Sequence, residues 1–249
     1  MNQATAARLL DLNHQFYQTF ARQFSSTRAR LQPGVAQLLR ELPATSRILD
    51  LGCGNGVLAA ELRRLGHVGE YIGLDFSPQM LELARQRCQQ LPQTHFLFAE
   101  LGQADWGGVF AGETASLLKP ASFDFVLAFA VMHHLPGETL RQELLQHVHR
   151  LLQPHGRFMH SEWQFLNSPS LRNRTVSWSA IGLNDGDVEA GDYLLDWRGG
   201  GLGLRYVHLF SEDELAALAA RCGFSILSTF YSDGHTRNLA LYQIWQPKG

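Results

Sequence analysis

Asp50, the glycines Gly52, Gly54 and Gly56, and Asp75 are the residues of this chain whose types and spacing carry the clearest chemistry. They lie in the stretches Ile48-Leu49-Asp50-Leu51-Gly52-Cys53-Gly54-Asn55-Gly56 and Tyr71-Ile72-Gly73-Leu74-Asp75. Glycine has no Cβ, so three at alternate positions let the backbone turn tightly and let a ligand lie against the main chain. The open N–H groups of a helix starting at Val57 would add a positive end to the turn. Asp75 follows the glycines by about 20 residues, the spacing at which a carboxylate receives the two hydroxyls of a ribose. Those features fit NAD or an adenosyl cofactor. A bare G-x-G-x-G occurs in many βα turns and names no particular nucleotide. The acid at Asp50, two residues before the first glycine, makes the pattern more specific.

The full order D-x-G-x-G-x-G, then L-D-x-S-x-x-M-L from Leu74 to Leu81, resembles the class I S-adenosylmethionine (SAM) methyltransferases. The resemblance implies that Asp50, Gly52, Gly54 and Gly56 hold the amino-acid end of SAM and that Asp75 holds its ribose. It places Met80 near the adenine and Glu100 near the adenine amino group, with Cys53, Phe76, Leu101 and Phe129 completing the cofactor contacts. It also implies an α/β fold: a Rossmann-like seven-stranded sheet with an N-terminal helical cap and an insertion after the fifth strand.

The elements that must position these residues follow from the hydrophobic pattern. Leu9, Leu10, Phe16, Tyr17 and Phe20 recur at helical spacing, and a break is expected at Phe24-Ser25-Ser26-Thr27-Arg28. Pro33 suits the first turn of a second helix, Gly34 to Glu41. These make a cap over residues 1–45 that would shield the site from water. Alternating strands and helices over 46–163 predict a right-handed, parallel, doubly wound core. Ser77 is its clearest N-cap, with Pro78 at the first helical position. Residues 164–206 are rich in Asn, Ser, Gly and Asp and read as a substrate-covering insertion, with enough aromatic residues to be ordered. Residues 207–249 open with a capping box at Ser211-Glu212-Asp213-Glu214 and end in two strands, the whole forming a single methyltransferase domain. The loop from Gly102 to Ser122 is longer than such connections usually are.

Composition sets bounds on function. The 249 residues carry a formal net charge of −2, so total charge demands neither nucleic acid nor an anionic membrane, and 45% hydrophobic residues allow a large core. The three cysteines form no zinc or disulfide pattern, which points to a reducing, cytoplasmic setting. No signal peptide and no membrane-spanning run is visible.

Four further segments narrow the resemblance: Phe24-Ser25-Ser26-Thr27-Arg28, Ala130-Val131-Met132-His133-His134, Ser161-Glu162-Trp163, and Gly191-Asp192-Tyr193 to Trp197 followed by Arg205 to Phe210. Together they resemble the eukaryotic enzymes that esterify 5-carboxymethyluridine at the wobble position of tRNA, including the methyltransferase domain fused to an AlkB-type hydroxylase. In that family a small zinc-containing activator pairs with the sheet edge, which here would be the strand Thr94 to Ala99. The chain departs from the family at Ala29 to Pro33, where a Lys-Pro-Trp-Pro-like stretch is usual, and at Glu162-Trp163, where Val-Trp is common.

A carboxylate acceptor is already ionised, so it needs a cation to hold it rather than a base. Arg28 and Arg205 are the candidates, because guanidinium matches carboxylate in a planar fork. His133, after the fourth strand, could position the acceptor or take a proton from a hydroxyl or amine. His208 and Tyr206, at alternate positions, would share a strand face and could stack on a planar acceptor with Trp163 and Trp197. No metal site is expected. The alternatives left open are a small-molecule O- or N-methyltransferase, an NAD-dependent oxidoreductase and a non-catalytic SAM-binding scaffold. Arg22, Arg28 and Arg30, with Arg172, Arg174 and Arg198, form the basic cluster that could meet tRNA phosphates.

Overall fold

The structure is a computed structural model. It describes residues 1–27, 30–199 and 201–248, except the side chains of 21–27 and Glu113. Two helices come first, α1 (Gln3–Thr27) and α2 (Pro33–Leu39). The break expected between Phe24 and Arg28 is instead a kink at Phe20 (φ −107°, ψ 15°), and the helix continues to Thr27. Arg28 and Ala29 lie outside the described residues.

The core then runs β1 (Ile48–Leu51), α3 (Val57–Arg64), β2 (Tyr71–Asp75), α4 (Pro78–Arg87), β3 (Thr94–Phe98), the short helix α5 (Asp105–Gly108), β4 (Phe123–Phe129), α6 (Glu138–Leu151) and β5 (Leu152–Trp163). After β5 come α7 (Pro169–Arg172), β6 (Thr175–Val176), β7 (Asp192–Trp197) and β8 (Gly203–His208). The chain closes with α8 (Glu212–Arg221), β9 (Phe224–Ser232) and β10 (Ala240–Pro247).

Seven strands form one sheet in the order β3-β2-β1-β4-β5-β10-β9. β1 to β5 are parallel, whereas β10 runs antiparallel to both β5 and β9. Every residue of β1 and β2 is buried, as apolar runs covered on both faces should be. Strand order reverses between β1 and β4, and in open α/β sheets a crevice opens at the carboxyl ends of the strands at such a point. One core layer packs Leu144, Leu145, Val148 and Leu151 of α6 against Val126, Phe158 and Trp245. On the other face Leu58 and Leu62 of α3 and Leu81 of α4 pack on Tyr71, Phe96 and Met159.

Three parts differ from the sequence reading. Residues 164–208 are not irregular: β6, β7 and β8 form a separate antiparallel sheet, so the insertion extends to His208. The long loop after β3 buries Trp106 against Phe110 (centroids 5.2 Å apart) and His147 (5.1 Å), and so fills the core beside α6. Ser211 caps α8 by accepting from the Glu214 main-chain N–H at 3.1 Å, but the Glu214 carboxylate reaches His208 Nε2 at 2.8 Å.

α1 crosses the open end of the sheet. Leu9, Phe16 and Phe20 are buried on its inner face. The Asn13 amide donates to the carbonyls of His134 and Tyr206, both at 3.2 Å, and its oxygen accepts from the Tyr206 N–H at 2.8 Å. One side chain thereby ties the cap to β8 and to the turn after β4.

Candidate active site

A large cavity lies at the strand-order reversal, lined by the turns after β1, β2, β3 and β4 and roofed by Asn13, His14 and Tyr17 of α1. Asp50, Gly52, Cys53, Gly54, Asp75, Phe76, Met80, Leu101 and Phe129 all line it. Gly54 has φ +53°, and a Cβ built there would meet nothing within 4 Å, so its main chain stands open to a ligand.

Two residues expected at this site stand elsewhere. Gly56 is absent from the lining: a Cβ there would sit 3.0 Å from Ala84, so this glycine lets α3 start close to α4. The Glu100 carboxylate turns aside to accept from the Gln103 amide, leaving Ala99 and Leu101 as the lining from that turn. His14, Tyr17, Ala130, Val131 and His134 line the cavity without having been singled out for cofactor contacts in the sequence. The apolar face of α1 signalled burial but not its target. Ala130 has φ +60°, a conformation rare for a residue with a Cβ; its N–H is held by the Ser161 carbonyl at 3.0 Å and hydroxyl at 3.1 Å.

The two acids are set up differently. Burial pushes the Asp50 pKa up to about 7; the hydrogen bond donated by the Tyr71 hydroxyl opposes that and the nearby Asp75 adds to it. Asp75 accepts from the Gly54 N–H at 2.8 Å and the Ser77 N–H at 2.9 Å. Burial raises its pKa and these bonds oppose the rise. Burial likewise raises the Cys53 thiol well above its ordinary value, which keeps it neutral at the cavity wall. Phe76 is stacked by His14 at 4.6 Å, and with Met80 and Leu101 gives a flat apolar slot.

These groups fit an adenosyl ligand. The slot suits a purine, Asp75 suits paired hydroxyls, and Asp50 suits an ammonium. A dinucleotide would bring its pyrophosphate to the glycine turn, where Asp50, once ionised, would repel it.

Beyond the cavity the candidate catalytic residues separate. His134, rather than His133, lines the cavity. Its Nδ1 faces the Tyr206 carbonyl at 3.3 Å and so carries the proton, which leaves Nε2 to accept from the Tyr17 hydroxyl at 2.7 Å. His133 is 1% exposed and packs behind it, its Nδ1 3.0 Å from Glu162 Oε2.

Arg205 does not line the cavity. Its guanidinium lies among three rings beside it, 4.7 Å from the Trp163 centroid, 5.4 Å from Phe16 and 5.8 Å from Trp197. The residue is 5% exposed and its Nε has no hydrogen-bond partner. His208 is farther off and fully engaged, with Nδ1 at 2.7 Å from Asp192 and Nε2 at 2.8 Å from Glu214. Tyr206 also donates to Asp192, at 2.6 Å, and is buried; neither it nor His208 offers a stacking face.

Glu189, Asp192 and His208 bring possible ligand atoms within 4.8 Å of one another. Arg141 pairs with Glu189 at 2.5 Å, however, so the group reads as an ion-pair network that fastens the insertion to the core. In the basic cluster Arg198 pairs with Asp196 at 2.7 Å, whereas Arg172 donates to the Leu166 carbonyl at 2.8 Å and keeps its charge. Arg28, whose position would decide the other half of the carboxylate reading, lies outside the described residues.

Known proteins share this arrangement. A methyltransferase-domain family profile matches residues 20–229. The tRNA (carboxymethyluridine(34)-5-O)-methyltransferase of Schizosaccharomyces pombe is 27% identical over 229 residues, covering 88% of this chain and 90% of that one. The mouse enzyme of the same name, ALKBH8, is 29% identical over 170 residues; the match covers 66% of this chain but only 22% of that longer protein. Among solved structures, a SAM-dependent methyltransferase from Methanosarcina mazei superposes with a TM-score of 0.64 at 22% identity, over 88% of this chain and 98% of that one. A Haloferax volcanii chain solved in complex with the Trm112 methyltransferase activator gives a TM-score of 0.63 at 14% identity, over 97% of this chain and 98% of that one. With the cavity suited to an adenosyl ligand and the family profile spanning most of the fold, the chain belongs to the methyltransferase-domain family and is a SAM-dependent methyltransferase.

Proposed function

We propose that this methyltransferase esterifies a carboxylate, that of a 5-carboxymethyl group on a tRNA wobble uridine. The observation that carries the reading is Arg205: a residue 5% exposed, its guanidinium ringed by aromatic side chains and its buried Nε unpartnered, with no acidic partner among the described residues. Burying a cation without a counter-charge is costly, and an anionic acceptor would supply the missing charge. The relatives named for carboxymethyluridine methylation support the same acceptor chemistry.

SAM supplies an electrophilic methyl on a sulfonium, and displacement leaves a neutral thioether. The acceptor oxygen is already anionic and needs no general base. Arg205 would hold and orient it, the rings around Arg205 would exclude water, and Tyr17 and His134 form the wall shared with the donor cavity. The same proposal includes a small activator protein at the β3 edge, where Phe98 is 47% exposed; that a Haloferax volcanii chain of similar fold was solved with the Trm112 activator supports it.

The pairing of Arg198 with Asp196 favours a second reading, a small-molecule carboxylate acceptor, since it offsets one cation of the face that would meet phosphates. Methyl-labelled SAM offered with bulk tRNA and, separately, with a metabolite extract distinguishes the two. Mild alkali then releases label from an ester and leaves N-methyl and ether label in place. Arg205→Met should abolish ester formation, leave S-adenosylhomocysteine binding unchanged, and hold or raise the melting temperature because the unpaired charge is gone. Alkali-stable label, or undiminished turnover in Arg205→Met, refutes the carboxylate reading.

A further inference from the structure

Glu162 is completely buried near the end of β5. Its Oε1 lies 3.0 Å from His160 Nδ1. Its Oε2 lies 3.0 Å from His133 Nδ1 and 3.1 Å from the His133 main-chain N–H. The Trp163 main-chain N–H also points at His133 Nδ1, at 3.3 Å. Four nitrogens and one carboxyl must therefore share a small number of protons.

Donor and acceptor counting decides where they sit. His160 is wedged between Phe158 and Trp245, and burial pushes its pKa down to about 3, so it is neutral. Its Nε2 is buried without a partner. A proton there would be a stranded donor, so the proton is on Nδ1 and is donated to Glu162 Oε1.

At His133, a proton on Nδ1 would face the Trp163 N–H with nothing to accept the latter. With Nδ1 as an acceptor, that conflict disappears, but Glu162 must then supply a proton from Oε2. Only a hydroxyl oxygen can accept the His133 N–H and donate to Nδ1 from the same atom. A carboxylate has no proton to give, and an amide nitrogen cannot accept.

We propose that Glu162 is held as a neutral carboxylic acid whose hydroxyl fixes the turn bearing His133 and His134 and, through His133, the main chain at Trp163, making it a positioning residue for the acceptor wall. Burial drives its carboxyl well above the ordinary range; the His133 N–H and Arg141 of α6 oppose this, and Glu214 of α8 adds to it. The two residues that Glu162 holds touch the wall at two places. The His133 ring meets the His134 ring at 4.4 Å, and His134 lines the cavity. The Trp163 ring lies over Arg205 at 4.7 Å. The bearing on the acceptor rests on the reading of Arg205 given above, whereas the site of the proton does not.

Infrared difference spectra of the enzyme bound to S-adenosylhomocysteine, wild type minus Glu162→Gln, read the proton without any acceptor. The expected result is a protonated-carboxyl C=O band present in the wild type and lost in the variant, with ¹⁵N spectra showing a neutral His133 protonated on Nε2. The variant should raise KM for bulk tRNA about tenfold, as loss of one buried hydrogen bond predicts, with its S-adenosylhomocysteine Kd within about twofold of wild type. A wild type lacking the band, or a Gln variant with unchanged KM, overturns the proposal. A wild type that shows the band yet methylates no tRNA supports the proton assignment and sinks the tRNA reading alone.

Discussion

Asp50 should make cofactor affinity depend on pH near neutrality. In the unliganded protein burial holds its carboxyl at about 7, aided by the neighbouring Asp75 and moderated by Tyr71. A bound ligand that brings an ammonium to Asp50 favours the ionised form and lowers that value. Binding then competes with a proton, so affinity rises with pH and levels off above about 7. If the bound-state pKa lies well below 6, the ionised fraction falls from about nine-tenths at pH 8 to about one-tenth at pH 6. Affinity should fall about tenfold over the same range, or about 1.4 kcal/mol.

The unliganded fold responds with the opposite sign. A raised carboxyl keeps its proton when the unfolded chain has lost it, so its stabilising contribution is present at low pH and is lost as pH rises from about 4 to about 7. Asp50→Asn should therefore gain stability relative to wild type as pH rises, on the order of 4 kcal/mol at most. Calorimetric titration of S-adenosylhomocysteine at about pH 6, 7 and 8, in buffers of different ionisation enthalpy, measures both affinity and proton release. Wild type should release about half a proton at pH 7, and Asp50→Asn none. Tyr71→Phe, which removes the bond that lowers the Asp50 pKa, should move the midpoint upward. A wild-type affinity flat across this range, or a slope that persists in Asp50→Asn, refutes the account.

His208 should give a second loss of stability with rising pH. Burial lowers its pKa, but the bonds to Asp192 and Glu214 outweigh burial and raise it, so the stability it contributes is complete below about 6.5 and is lost as pH climbs through the raised value. His208→Gln should cost about 1–3 kcal/mol on the acid side and flatten the alkaline fall in denaturant midpoints. Gly34→Ala should destabilise by about 1–3 kcal/mol in the same assay, because its Cβ would lie 2.4 Å from a Tyr242 ring that Asp233 and Phe230 hold in place.

The donor site was largely legible in the sequence because its contacts are made by short turns whose residue types answer to local geometry. Gly52 and Gly54 need left-handed backbone, Ser77 must cap α4, and Asp75 must end β2; each requirement acts within a few residues. Gly56 shared the spacing but serves helix packing against Ala84, which lies on another element. Glu100 was expected inward, yet its direction is set by the turn to Gln103. Between adjacent histidines nothing in the composition tells which faces the cavity; the hydrogen bonds His134 makes with the Tyr17 hydroxyl and to the Tyr206 carbonyl do. The strands β7 and β8, which pair with each other, were hidden in a polar, glycine-rich stretch, and the α1 side chain that bonds to the β8 backbone is almost two hundred residues away.

That difference in range has a consequence for how the two halves of the site can diverge. The acceptor wall joins Phe16 and Tyr17 of α1, His134 after β4, Trp163 at the end of β5 and Arg205 of β8. Its framework is held largely through main-chain groups: Asn13 bonds the His134 carbonyl and both polar groups of the Tyr206 backbone. Side chains facing the acceptor can therefore change while the backbone that presents them stays fixed, and the glycine turn beneath is untouched. Glu162 shows how such a wall accommodates an acid, since its buried carboxyl is met by His133 and His160. A fold that keeps its methyl donor in a local motif and its acceptor in a long-range side-chain assembly will conserve the reaction more readily than the substrate. For this chain methyl transfer follows from the family it belongs to, whereas under the two proposals above the choice of acceptor turns on the charge of Arg205 and the proton of Glu162.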